Sequence, residues 1–185
     1  MSVLTVAAVV VWFLLGLGGV LTGWRGLPAG ARRPRLVVAL VGAVVGTGAV
    51  ALLGAFGGGA SGPLAWSAVG AGVLAAAALG SVVVRCVLAL AAGSVSRPSR
   101  VRATVLRGGA WIGVLERLAL LGTLLAGFPA GLVAVVAVKA FARYPELKTA
   151  QATGAIERFI IGTYASLGWA ALCTGVVEVL LRGAP

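Results

Sequence analysis

The sequence contains no aspartate and no histidine, and its only acids are Glu116, Glu146, Glu157 and Glu178. These absences exclude much chemistry. There is no imidazole to act as a base and no Asp pair to hold a divalent metal. Both cysteines, Cys86 and Cys173, lie in apolar stretches and read as small buried hydrophobes rather than halves of a disulfide. Without His, Asp or a Cys cluster, neither a transition-metal site nor a cofactor is expected. Charge itself is scarce. Only 10% of the 185 residues are charged, against about 25% in a soluble domain.

What fills the chain instead is apolar. The hydrophobic share is 61%, an excess that predicts an all-α, polytopic transmembrane bundle. The formal net charge of +11 suggests nucleic acid. The placement of the charges excludes that reading, because most basic residues lie in short loops between apolar spans, where they orient a membrane protein.

Six membrane segments are expected. The first covers 3–24 and lacks the positive leader of a signal peptide, so it reads as a retained helix. The second covers 36–56, and the uncharged turn GGGASGP leads to the third, from Leu64 to Ala92. The fourth covers 109–126 and is broken by GFPAG, where Pro129 removes a backbone donor between glycines. The fifth, 131–144, is expected to end where Pro145 follows Tyr144. Segments four and five either cross a locally thin bilayer or form a re-entrant helical hairpin. The sixth covers 155–181. The whole reads as one membrane domain over 1–185, with a three-helix half at 1–92, a basic loop at 93–108 and a charged half at 109–182.

The loops at 25–35, 93–108 and 144–154 fall on one side and hold most of the basic residues. The positive-inside rule makes that side cytoplasmic and both termini external. This is the layout of a multi-pass protein of a bacterial inner membrane. The pairs Gly19/Gly23, Gly42/Gly46 and Gly109/Gly113 have GxxxG spacing and suit close helix packing. Trp24, Trp66 and Trp111 suit the interfacial belt, whereas Trp12 and Trp169 lie deeper and pack.

Ionisable groups inside the spans carry the functional question. GVLER at 113–117 is echoed by GAIER at 154–158, and both copies open helices running the same way. Glu116 lies about seven residues into its span, roughly 10 Å along a helix, where an unpaired carboxylate is costly. Neighbours at i and i+1 do not face each other, so Glu116 and Arg117 need partners on other helices. The expected pairs are Glu116 with Arg158 and Glu157 with Arg117. Lys139 and Arg143, at i and i+4, add a basic stripe, and Arg85 joins from the third helix. Thr163, Tyr164 and Ser166 supply hydroxyls above them. The candidate binding residues are therefore Arg85, Glu116, Arg117, Lys139, Arg143, Glu157, Arg158, Thr163, Tyr164 and Ser166. The opposing reading is that the basic residues snorkel to the interface and that Glu157 serves the helix start. Glu178 is expected to be interfacial.

Several of these residues carry a resemblance. Gly109, Ile112, Gly113, Leu115, Glu116 and Arg117 form Gly-x-x-Ile-Gly-x-Leu-Glu-Arg. Lys139 and Arg143 follow, then Glu157 and the Ile161-Gly162-Thr163-x-x-Ser166 element. Residues 109–176 thus resemble the C-terminal half of an uncharacterised family of small prokaryotic membrane proteins. That family places His and Asp in its first helix, and this chain has neither. The resemblance implies a membrane module and a set of residues, not an activity.

Three functions follow as expectations. The first is a non-enzymatic membrane protein whose net-positive cytoplasmic cluster binds or conducts a small anion, a proton-coupled solute or a phosphate-bearing lipid headgroup. The second is a structural or accessory subunit whose charge pairs fix helix register. The third, a lipid-modifying enzyme, is the weakest, since no nucleophile or base constellation is present. The partners expected are membrane lipid, a small anion, and a second copy or another membrane subunit.

Overall fold

The computed structural model describes residues 3–25, 33–92, 108–149 and 155–182. It forms six helical rods, and no strand occurs among the described residues. Helix α1 is Val3–Arg25 and α2 is Arg33–Phe56. Helix α3 is one continuous rod of three stretches: Pro63–Leu74, a π-helical turn Ala75–Leu79, and Gly80–Ala92. Then come α4, Gly108–Leu125, α5, Gly131–Thr149, and α6, Ala155–Arg182. Helices α1, α2, α3 and α6 are long and apolar enough to cross a membrane. Helices α4 and α5 form a shorter hairpin, and the apolar part of α5 covers Gly131–Ala142.

The turns follow from their glycines. In the α2–α3 turn Gly58, Gly59 and Gly62 all take positive φ, and Pro63 starts α3 where its missing N–H costs no ladder bond. Helix α4 closes at Gly127, with φ +70°. The Phe128 N–H donates to Thr123 O at 2.8 Å and the Gly127 N–H to Leu124 O at 3.0 Å. This is the double bond of a Schellman cap, which satisfies carbonyls that lipid could not. One boundary differs from expectation. Helix α5 does not stop at Tyr144 but runs through Pro145 to Thr149. A proline this near a terminus removes one bond where few remain to be lost, and its bias on the preceding residue is a preference, not a prohibition.

Helix α3 is the axis of the bundle, packed against α1, α2, α4 and α6. The buried face of its first half is small, with Ala68, Ala71, Gly72, Ala75 and Ala76, and Leu79, Val82, Val83 and Cys86 continue it. Larger groups fill the space around it, among them Trp12 from α1 and Cys173, Val177 and Leu180 from α6. Small residues on one face let backbones approach, and dispersion then replaces a hydrophobic drive that lipid does not supply. A Cβ on Gly19 would stand 2.9 Å from the Leu79 backbone nitrogen, so α1 lies directly against the π turn. Of the expected glycine pairs, Gly19 and Gly46 make close contacts, whereas Gly42 faces open space. The outward faces carry Leu14, Val38, Val45 and Leu52, the side chains a lipid-facing surface calls for.

The end of the bundle with the uncharged turn is pinned. The Thr5 hydroxyl donates to Gly57 O at 2.8 Å and the Ala60 N–H to Leu180 O at 2.6 Å. Near it Arg182 and Glu178 form an i,i+4 pair at 3.1 Å, which accounts for that outer acid. Cys86 and Cys173 are both buried and free. Trp12 and Trp169 are buried while Trp66 and Trp111 are exposed, as their positions predict. The Trp24 and Lys148 side chains and the basic residues in 26–32 and 93–107 lie outside the described residues.

The α1–α3 contact gives a signed test. Gly19→Ala should lower the unfolding midpoint in detergent by the equivalent of about 1–3 kcal/mol through overpacking. Gly70→Ala, whose new carbon meets nothing within 4 Å, should raise it by up to about 1 kcal/mol, the helix-propensity gain. Equal shifts would show that the α1–α3 contact is loose.

Candidate functional site

The site grows out of the π turn in α3. Widening a helix to i→i+5 bonding displaces its carbonyls from the regular ladder; here the Gly80 N–H reaches back to Ala75 O. Inside a membrane a carbonyl without a donor costs several kcal/mol. Two side chains from later helices donate to the carbonyls of this turn. The Trp169 Nε1–H donates to Ala75 O at 3.1 Å. Arg117 donates from Nε to Ala76 O at 2.8 Å and from Nη2 to Ala77 O at 3.0 Å. Three successive carbonyls are thus held by α4 and α6.

Arg117 goes further. Its Nη2 also donates to Ser81 Oγ at 2.7 Å, and its Nη1 to Ser166 Oγ at 3.4 Å. Ser81 in turn donates to Ala77 O at 3.0 Å. The guanidinium is 4% exposed and bonds only neutral oxygens, so its positive charge is solvated rather than cancelled. Gly80 makes the approach possible. A Cβ there would stand 2.7 Å from Arg117 Cδ and Nε and 2.8 Å from Trp169 Cδ1.

Glu116 turns the other way, as adjacent helical positions must. It accepts a hydrogen bond from Lys139 Nζ on α5, and both side chains are mostly buried. This ion pair is the polar tie between α5 and the bundle, since α5 packs substantially on α4 alone.

Arg85 sits one turn beyond Ser81 on α3. Its Nε and Nη2 are buried and have no hydrogen-bond partner among the described residues. The Thr163 hydroxyl on α6 is in the same condition. These two groups share a depth. Helices α3 and α6 run antiparallel, with Ser81 and Ser166 meeting at Arg117 and Leu88 beside Gly162. Arg85 lies between Ser81 and Leu88, and Thr163 between Gly162 and Ser166.

The structure therefore gathers Arg85, Glu116, Arg117, Lys139, Thr163 and Ser166, but not in the expected pairs. Glu116 meets Lys139 and not Arg158; Arg117 meets backbone and serines and not Glu157. Glu157 and Arg158 are exposed near the start of α6. The cause is register. Arg117 is level with Ser166, eight residues past Arg158, or about 12 Å of helix. The two E-R copies thus occupy different surroundings. Tyr164 points outward at 74% exposure and leaves the cluster. Arg143 lies on α5, and its side chain is outside the described residues. Sequence reasoning missed Gly80, Ser81, the Trp169 N–H and the Ala75–Ala77 carbonyls. The available signal was the Gly-Ser pair after an alanine run inside a long span, a recurrent mark of helix irregularity.

Comparison of the chain with protein-family models, curated proteins and solved structures gives no match.

Two substitutions test this geometry. Arg117→Met should destabilise the fold by roughly 1–3 kcal/mol for each carbonyl hydrogen bond it removes, measured as a denaturant midpoint in detergent. Lys139→Glu alone should cost about 3–5 kcal/mol. The exchange Glu116→Lys/Lys139→Glu should recover part of that loss, and no recovery would mean that the two residues are not partners.

Proposed function

We propose that this chain is a multi-pass protein of a bacterial inner membrane. In this reading it binds or passes an anionic group, either a small anion or a lipid-headgroup phosphate, at a net-positive cluster near the cytoplasmic leaflet. One observation carries the reading: the half-buried Arg85 has two buried guanidinium nitrogens, Nε and Nη2, unpartnered among the described residues. A buried charged group with open donors in a low-dielectric setting has strong demand for an acceptor. The charges around it favour a negative one. Glu116 is engaged by Lys139, so Arg85 and Arg117 remain as an excess of positive charge. The orientation rests on the basic loops and the positive-inside rule. Membership of the family that residues 109–176 resemble is part of the same proposal and adds no activity to it.

A second reading, an accessory subunit without a ligand, has support of its own. Arg117, Glu116 and Lys139 are all engaged within the chain, as charges that only fix helix register would be. Native mass spectrometry of the detergent-released protein separates the two. The anion reading expects a bound anion or anionic lipid on the wild type that is lost, at least tenfold, in Arg85→Gln of unchanged unfolding midpoint. A stoichiometric second protein without such an adduct would support the accessory role and overturn the anion reading.

A further inference from the structure

Resting on the anion-site reading, we infer that the ligand at Arg85 is an oxyanion with paired terminal oxygens, such as a phosphate group, gripped side-on by Nε and Nη2 and joined by the Thr163 hydroxyl.

Of the nitrogens of Arg85, Nε and Nη2 are the buried ones without a partner. Those two N–H bonds lie on one edge of the planar guanidinium and point the same way. The edge is a two-pronged donor whose spacing matches two oxygens on one carbon, phosphorus or sulfur atom, which is why arginine takes carboxylates and phosphates in a bidentate manner. A halide can sit against the edge but uses the fork as a single point charge. Thr163, at the same depth on the facing helix, supplies a third open donor. Three donors at one depth suit a group with several acceptor oxygens.

The neighbouring bases do not compete for contact. Arg117 spends its donors on Ala76, Ala77, Ser81 and Ser166, and Lys139 is held by Glu116. Arg117 therefore acts on the ligand mainly through its field. It strengthens attraction for any anion, while the Arg85 edge selects the shape. Arg85 lies seven residues before the end of α3 at Ala92, about 10 Å below it along the helix. Both a phosphodiester of a membrane lipid and free phosphate present the required oxygens.

The test uses the full chain in nanodiscs of phosphatidylcholine, with radiolabelled inorganic phosphate as probe and sulfate or chloride as competitor at equal ionic strength. Sulfate should displace phosphate at least tenfold better than chloride does. Arg85→Lys keeps the charge and removes the fork, and should weaken phosphate binding about tenfold. Thr163→Val, nearly the same shape, should weaken it a few-fold. Each variant is compared at an unchanged unfolding midpoint. In nanodiscs containing phosphatidylglycerol, suppressed phosphate binding together with lipid retained on the wild type and lost from Arg85→Lys identifies a lipid source. Phosphate binding unaffected by that lipid identifies a free anion. Either supports the fork. If chloride competes as well as sulfate, or Arg85→Lys binds phosphate like the wild type, the side-on grip is wrong while the anion site stands. If the wild type neither binds phosphate nor retains phosphatidylglycerol, both fall.

Discussion

The bond between the Arg117 guanidinium and the carbonyls of the π turn is the interaction on which the rest of the structure depends. A wide turn in an apolar helix turns backbone oxygens away from the regular ladder, where side chains can reach them. Arg117 reaches Ala76 and Ala77, and Trp169 reaches Ala75. The same bonds lock α4 and α6 against α3 at one depth. Gly80 gives the guanidinium and the indole room to arrive. Polar demand inside one helix is thereby converted into the assembly of three.

That lock sets the electrostatics. Because Arg117 is satisfied by neutral oxygens, its charge persists, while the acid beside it is consumed by Lys139. The α4–α5 hairpin thus brings one acid and two bases into the bundle, and α3 adds Arg85. The unpartnered donors of Arg85 and Thr163 stand next to this surplus. Structure and charge have separate owners here: Arg117 holds the helices together, and Arg85 has its donors open.

Much of the fold was legible in the sequence, because lipid makes the signals coarse. Long apolar runs mark α1, α2, α3 and α6, and GGGASGP and GFPAG mark the α2–α3 and α4–α5 turns through glycines that the structure uses at positive φ. The charged half, with Glu116, Arg117 and Lys139 in one cluster, was legible too, since intramembrane charges must find partners. The pairings were not. Which residue of α6 stands level with Arg117 is set by how alanine faces and glycine contacts let the helices slide together, and local sequence does not encode that offset. The π turn was invisible for a related reason: a run of alanines has the same pattern in an α-helix as in a π-helix. Proline at 145 misled because near a helix end its penalty is small.

The π turn also imposes an order on synthesis. Its carbonyls are made well before their donors: Arg117 follows Ala76 by 41 residues, and Trp169 follows Ala75 by 94. A nascent chain that has inserted its first three helices lacks these side-chain bonds, of which α4 brings two and α6 the third. Truncation before α6 would leave the Trp169 bond unmade, so the first three helices are one side of a joint that later helices close.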